Sequence, residues 1–205
     1  MTASLSTVHV SHRGEDRLRR GHPWIYRSDV TRASAASGDL VAVIGPRERK
    51  LGEAMWSDRS QIALRMMAAG EQTVGENGWR ERLAAAIAFR ESLNIDATAY
   101  RLVHGEADRL PALIVDRYAD VLVVQALSQG MDRRLDELTR VLVDLLHPKA
   151  SWRGTIPRSG CSRGSSRRST CVAATSRDRR SPRRAGDLRR RRASWAEDRP
   201  LPRSA

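Results

Sequence analysis

Between positions 100 and 125 the chain reads YRLVHGEADRLPALIVDRYADVLVVQ, three short β-prone runs separated by two charged turns. Apart from Arg101, residues 100–103, 113–115 and 121–124 are apolar or β-branched, the composition of strands with buried faces. Glu106, Asp108 and Arg109 fill the first turn; Asp116, Arg117 and Asp120 fill the second. Neither turn has the spacing of a metal site or of a nucleophile with its base. Asp116 and Arg117 are expected to pair at a strand end. Glu106 and Asp108 could form a paired-carboxylate site, but two acids two residues apart in a turn are expected to be solvated or capping. His104, without a partner in the pattern, is read as structural.

Helical patterns flank these runs. Over 76–93, Trp79, Leu83, Ala86, Ile87 and Leu93 recur at helical spacing, with Asn77 as N-cap. Arg90 falls within that stripe and is expected to extend its charged head towards water. Near 130–146, Met131, Leu135, Leu138, Val141, Leu142 and Leu145 form a second stripe. Helix, strands, helix makes an α+β unit in which both helices cover one sheet.

The preceding residues, 7–67, read as a small β-barrel with one short helix. Residues 7–10, 40–44, 51–56 and 61–67 are candidate strands, and Gly45-Pro46-Arg47-Glu48 is a strong turn. A helical turn rich in arginine spans 15–20 and closes at Gly21. Arg13, Arg17, Arg19, Arg20, Arg27 and Arg32 stand against Glu15, Asp16 and Asp29 within residues 11–32. That excess suits a modest phosphate-binding patch, or equally an ordinary solvated face. Trp24 and Tyr26 beside it could stack on an unpaired base, although an aromatic next to Pro23 in a small barrel is more often core. The RNA-binding candidates are thus Arg13, Arg17, Arg19, Arg20, Trp24, Tyr26 and Arg27. Arg59 and Arg65 are weaker.

Two segments resemble a known family. The pattern R-L-V-x-G-E-x-D-x-L-P-x-L-I-V-D-R-Y looks like the central segment of the RlmI-like class I S-adenosylmethionine-dependent methyltransferases of ribosomal RNA. R-L-R-R-G-H-P-W-I-Y-R-S-D-V, G-D-L-V-A-V and L-G-E-A-M-W-S-D-R-S-Q-I-A-L-R-M resemble the PUA-type domain that opens the same family. The resemblance implies an α+β chain: a PUA-like RNA-binding barrel over 1–70 and a central α+β domain over 75–148. It also implies RNA, ribosomal in origin, as partner, and methylation of cytosine carbon 5 by the full-length family member, with S-adenosylmethionine as its cofactor.

Residues 151–205 differ in kind. They hold 16 arginines, no lysine and 4 acids, whereas residues 1–150 are nearly neutral at +1 of the total +13. Cys161 and Cys171 also lie there, with no zinc-site spacing and no catalytic context. A class I methyltransferase needs a strand, a glycine-rich turn and a helix around its cofactor, and some members need a nucleophilic thiolate. Neither pattern is present, so the chain as written is expected to bind no cofactor, to lack catalytic residues and to be inactive. The segment could be a disordered arginine-rich arm that binds RNA by itself, a truncated linker, or an out-of-frame translation. Allowed codons for residues 151–165, read from the third base, can spell LARNDPAVRVLEGL; those for 194–205, read from the second, can spell PGPKTGLFLDQ. Both strings resemble segments with which the family continues, which favours the frameshift over the alternative of a stand-alone RNA-binding module. No apolar run approaches the roughly 20 residues of a membrane span, nor is there a signal-type apolar core, so a soluble cytoplasmic protein is expected. No metal site is expected, and the oligomeric state stays open.

Overall fold

The computed structural model describes residues 5–75, 77–155 and 170–172. The first sheet is a curled half-barrel built from β1 (Thr7–Val10), β2 (Trp24–Tyr26), β3 (Val30–Ser34), β4 (Leu40–Ile44), β5 (Lys50–Trp56) and β6 (Ile62–Ala69), in the order β2-β6-β5-β4-β1-β3. All its pairings are antiparallel except β1 with β4. Alternate residues Val8, Val10, Ile25, Val41, Val43, Ala54, Trp56 and Leu64 face its interior. Strand β3 escapes the sequence pattern because it is an edge strand with four of its five residues exposed, so no face imposes alternation.

Between β1 and β2 lies α1 (His12–Arg19). Its start is set by Ser11, whose Oγ accepts from the Gly14 N–H at 3.3 Å. The helix therefore begins three residues before the expected 15–20. It ends at Arg20, and Gly21 turns the chain with φ +81°.

The second sheet has the order β11-β10-β9-β8-β7, from β7 (Ala99–His104), β8 (Leu113–Tyr118), β9 (Val121–Ala126), β10 (Ala150–Thr155) and β11 (Thr170–Val172). Its first three strands are the three runs read from the sequence. Helix α2 (Gly78–Ser92) buries Trp79, Leu83, Ala86 and Ile87 as expected. Leu93, in contrast, is 52% exposed, because it is already the C-cap, where the stripe leaves the helix. The single expected helix near 130–146 is two, α3 (Gln129–Arg133) and α4 (Leu135–Leu146). The break is at Arg134, whose guanidinium bonds the carbonyl oxygens of Gly130 (3.1 Å) and Gly38 (2.9 Å).

Strand β10 pairs in parallel with β9 from Ala150 to Thr155. The sheet thus runs past position 150, and 151–155 and 170–172 are strands, not part of a disordered tail. The rest of that expected tail lies outside the described residues, as do Cys161 and the frame comparison beyond Thr155.

Strand β5 is buried on both faces. Ala54 and Trp56 join the half-barrel interior, whereas Met55 joins the core formed by α2, α3, α4 and the second sheet. Gly130 permits this contact: a Cβ there would sit 2.1 Å from Met55 Cε.

Candidate nucleic-acid interface

Helix α1 and strand β2 present the charged and aromatic groups that the sequence singled out. His22, Trp24 and Tyr26 are alternate residues, so their rings share one side of β2 while Ile25 points into the core. The His22 and Trp24 rings meet edge-on with centroids 5.6 Å apart, and His22 and Tyr26 lie 6.2 Å apart. Arg17 places its guanidinium 4.7 Å from the Tyr26 ring centroid. Both Trp24 and Tyr26 are half-buried, so neither is the fully buried core aromatic that Pro23 suggested.

A groove of about 710 Å³ is lined by Arg13, Asp16, Arg17, Arg20, His22 and Pro23. It brings together three of the candidate arginines, which recur at three- and four-residue spacing on one side of α1. Asp29 anchors them from below. It is fully buried, accepts from Arg13 Nε in a short hydrogen bond and lies 3.4 Å from Arg17 Nη2. One buried carboxylate thus orients two guanidiniums, and the side chain of Arg13 remains 65% exposed. Arg20 is exposed and makes no ion pair among the described residues.

A second groove, also of about 710 Å³, lies on the other side of Gly21, His22 and Pro23, which line both. Its cations are Arg19, Arg49, Lys50 and Arg109. Two of these share Glu15, which accepts from Arg19 at 2.8 Å and from Arg49 in a shorter contact. Arg27 lies outside both grooves. It bonds the Ser57 and Ser60 carbonyl oxygens and stacks 4.7 Å from the Trp56 ring, which fixes the β2–β6 corner. Arg32 bonds His9, and Arg59 remains beside Asp58 on the surface.

The far wall of the second groove comes from the turn at Gly105–Asp108 and the loop after it. Here the turn carboxylates differ from the solvated pair expected. Glu106 accepts from Trp24 Nε1 at 3.0 Å and lies 3.9 Å from Arg65 Nε. Asp108 is half-buried and takes both Arg90 nitrogens, at 2.5 and 2.7 Å. Arg90 is correspondingly not extended towards water: its side chain is only 10% exposed. Burial pushes the Asp108 pKa up, but the Arg90 hydrogen bond, the His104 N–H and the Arg90 charge outweigh it and leave the carboxyl below its ordinary value.

Asp116 and Arg117 do not pair with each other, because neighbouring strand residues point to opposite faces. Asp116 instead takes Arg101 across the ladder at 2.8 Å, while Arg117 bonds the Ala119 carbonyl oxygen and the Tyr100 hydroxyl. His104 has a partner after all: its Nδ1 lies 3.3 Å from Arg101 Nη1.

Class I methyltransferases hold their cofactor on a strand, a glycine-rich turn and a helix. The strand–turn–helix that could serve is β9 to α3, but its glycine, Gly130, is packed on Met55 and presents no open cradle. The β9–α3 turn therefore offers no cradle for S-adenosylmethionine. No group of three or more histidines, cysteines or acids able to hold a metal occurs among the described residues, and none of the described helices is long and apolar enough to cross a membrane.

Residues 8–69 match the PUA-like domain family. The chain is 39% identical over 135 residues to a ribosomal RNA large subunit methyltransferase I of Shewanella amazonensis, covering 63% of this chain and 34% of that protein. It is 37% identical over 127 residues to a ribosomal RNA large subunit methyltransferase of Deinococcus radiodurans, covering 58% and 31%. A Streptococcus mutans structure assigned to the SAM-dependent methyltransferases superposes with a TM-score of 0.63 at 15% identity, over 73% of this chain and 40% of that one, which shows a shared fold. The chain therefore opens with a PUA-like domain, is similar beyond it to large-subunit ribosomal RNA methyltransferases, and spans about a third of the length of the curated relatives it matches.

Proposed function

We propose that this chain is the RNA-holding, N-terminal portion of a methyltransferase acting on cytosine in large-subunit ribosomal RNA. Residues 1–70 hold the RNA and residues 75–148 form the central domain. The observation that carries the reading is the groove of Arg13, Arg17 and Arg20 beside the half-buried rings of Tyr26 and Trp24. Guanidiniums that neutralise phosphates, next to faces that can stack a base, are the chemistry of single-stranded RNA recognition. The relatives' own substrate, ribosomal RNA, points the same way.

Within this proposal residues 1–205 bind RNA without transferring a methyl group, and most of 151–205 is an out-of-frame translation. Resequencing codons 145–205 and the DNA beyond checks that directly: a shifted frame should continue into a glycine-rich cofactor loop. Binding is checked with transcribed fragments of large-subunit ribosomal RNA. Arg20→Gln should weaken it severalfold with the fold intact; equal affinity of wild type and variant would overturn the assignment of this groove.

The second reading is a stand-alone RNA-binding module whose basic arm is native. It is favoured by β10, in which the frame as written continues the sheet through Thr155. Deleting 173–205 separates the two, because a native arm would take most of the RNA affinity with it.

A further inference from the structure

The turn at Gly105–Asp108 has a groove on each side. Glu106 lines the groove shared with α1 and β2, and the next residue, Ala107, lines another of about 690 Å³ on the β7–β8 hairpin. Consecutive Cα atoms are about 3.8 Å apart, so a single peptide unit separates the two depressions.

We propose that single-stranded RNA held at α1 and β2 continues over this turn onto the β7–β8 hairpin, where Tyr118 stacks a base and Arg101 and His104 meet the adjoining phosphate. This rests on the RNA reading above and extends it to a site on the second sheet.

The chemistry of the hairpin groove supports that occupant. Tyr118 is 52% exposed at the end of β8, facing Ala99 across the ladder, so its ring is open to a planar partner. Arg101 lies on the same side, two ladder positions away, with its side chain 47% exposed. Asp116 holds it through two nitrogens, at 2.8 and 3.3 Å, which fixes the guanidinium plane instead of leaving it free to swing. The acids of the neighbourhood are already satisfied: Asp116 by Arg101, and Asp108 by Arg90. What remains to an incoming ligand is the ring, the outer N–H groups of Arg101 and Nε2 of His104, whose Nδ1 lies 3.3 Å from Arg101 Nη1.

The ridge between the grooves is built to stay put. Arg109 and Ala112 both adopt positive φ, at 58° and 63°, around the fully buried Leu110. Left-handed backbone at two residues other than glycine persists only where its surroundings over-determine it. Here the surroundings are the Asp108–Arg90 pair, the bond from Arg82 Nη1 to the Arg109 carbonyl oxygen (3.2 Å), and the Trp24–Glu106 bond.

The test uses the full chain and two oligouridines, of about 5 and about 15 nucleotides, bracketing the site sizes of single-strand binders. Wild type should bind the longer one more tightly. Tyr118→Ala should remove about tenfold of that gain, the effect of one stacked base, without changing the slope of affinity against salt, since no phosphate contact is lost. Tyr118→Phe should keep the gain, which a merely structural role for the hydroxyl would not. An unchanged gain in Tyr118→Ala would overturn the hairpin site. If short-oligomer binding then still falls in Arg13→Gln/Arg20→Gln, the α1–β2 reading survives alone. If wild type binds neither oligomer, both fall together.

Discussion

The α1–β2 segment and the 101–117 segment are about equally rich in charge, yet their charges do different work. In the second, each carboxylate holds a single arginine: Asp108 takes Arg90 of α2, Asp116 takes Arg101, and Glu106 lies beside Arg65. In the first, one buried carboxylate, Asp29, serves both Arg13 and Arg17, and Arg20 has no acid of its own among the described residues. A one-to-one match fixes each guanidinium and cancels its charge, so only its spare N–H groups can meet a phosphate. A surplus of guanidiniums held on a buried anchor leaves donors facing solvent, where a phosphate can take them. Local net charge distinguishes such regions poorly; what separates them is where each carboxylate is buried.

The contrast can be broken from either side. The largest effect is expected from Arg90→Ala, which leaves the half-buried Asp108 without its two charged hydrogen bonds and should cost about 2 kcal/mol of stability, read from urea midpoints, with the salt dependence of RNA binding unchanged. Next comes Arg13→Gln with Arg20→Gln. RNA affinity should fall about tenfold, and the slope of log affinity against log salt should become shallower by about 1.4, the value for two phosphates on a single strand.

Trp24→Phe should cost about 1 kcal/mol by removing the bond to Glu106; a loss confined to RNA affinity would show that the bond does not tie β2 to the turn. The smallest effect is in acid. The Asp108 pKa lies below its ordinary value in the folded protein. Its contribution is therefore present above the unfolded pKa of about 4 and lost as pH falls through the lower folded value. Comparing wild type with Asp108→Asn between pH 7 and pH 3 should show the stability difference shrinking as pH falls.

Much of the architecture was legible in the sequence because it rests on local pattern. The runs at 40–44 and 121–124, the α2 stripe and the arginines of α1 all announce themselves by spacing. What the sequence hid depends on distant partners. The Trp24–Glu106 bond spans 82 positions, and nothing near either residue signals it. Arg90 looked like a surface residue in an apolar stripe because its partner, Asp108, comes from a turn 18 positions away. The helix break at Arg134 likewise follows from the Gly38 carbonyl oxygen, contributed by the β3–β4 loop. Asp116 and Arg117 misled for the opposite reason: adjacency in sequence suggested a pair that strand geometry forbids. The candidate site itself was half legible. Its arginines were visible as a cluster, but which of them converge, and that Arg27 braces a strand corner instead, is decided by Asp29 and by the Ser57 and Ser60 carbonyl oxygens.

The most direct test is the salt dependence of single-stranded RNA binding by the full chain and by its Arg13→Gln/Arg20→Gln variant, both carrying the same arginine-rich 151–205. If α1 and β2 hold the RNA, the variant's slope is shallower by about 1.4 although the remaining arginines are untouched. If the two lines superimpose, the phosphate contacts lie elsewhere in the chain, and the groove of Arg13, Arg17 and Arg20 is only a solvated face.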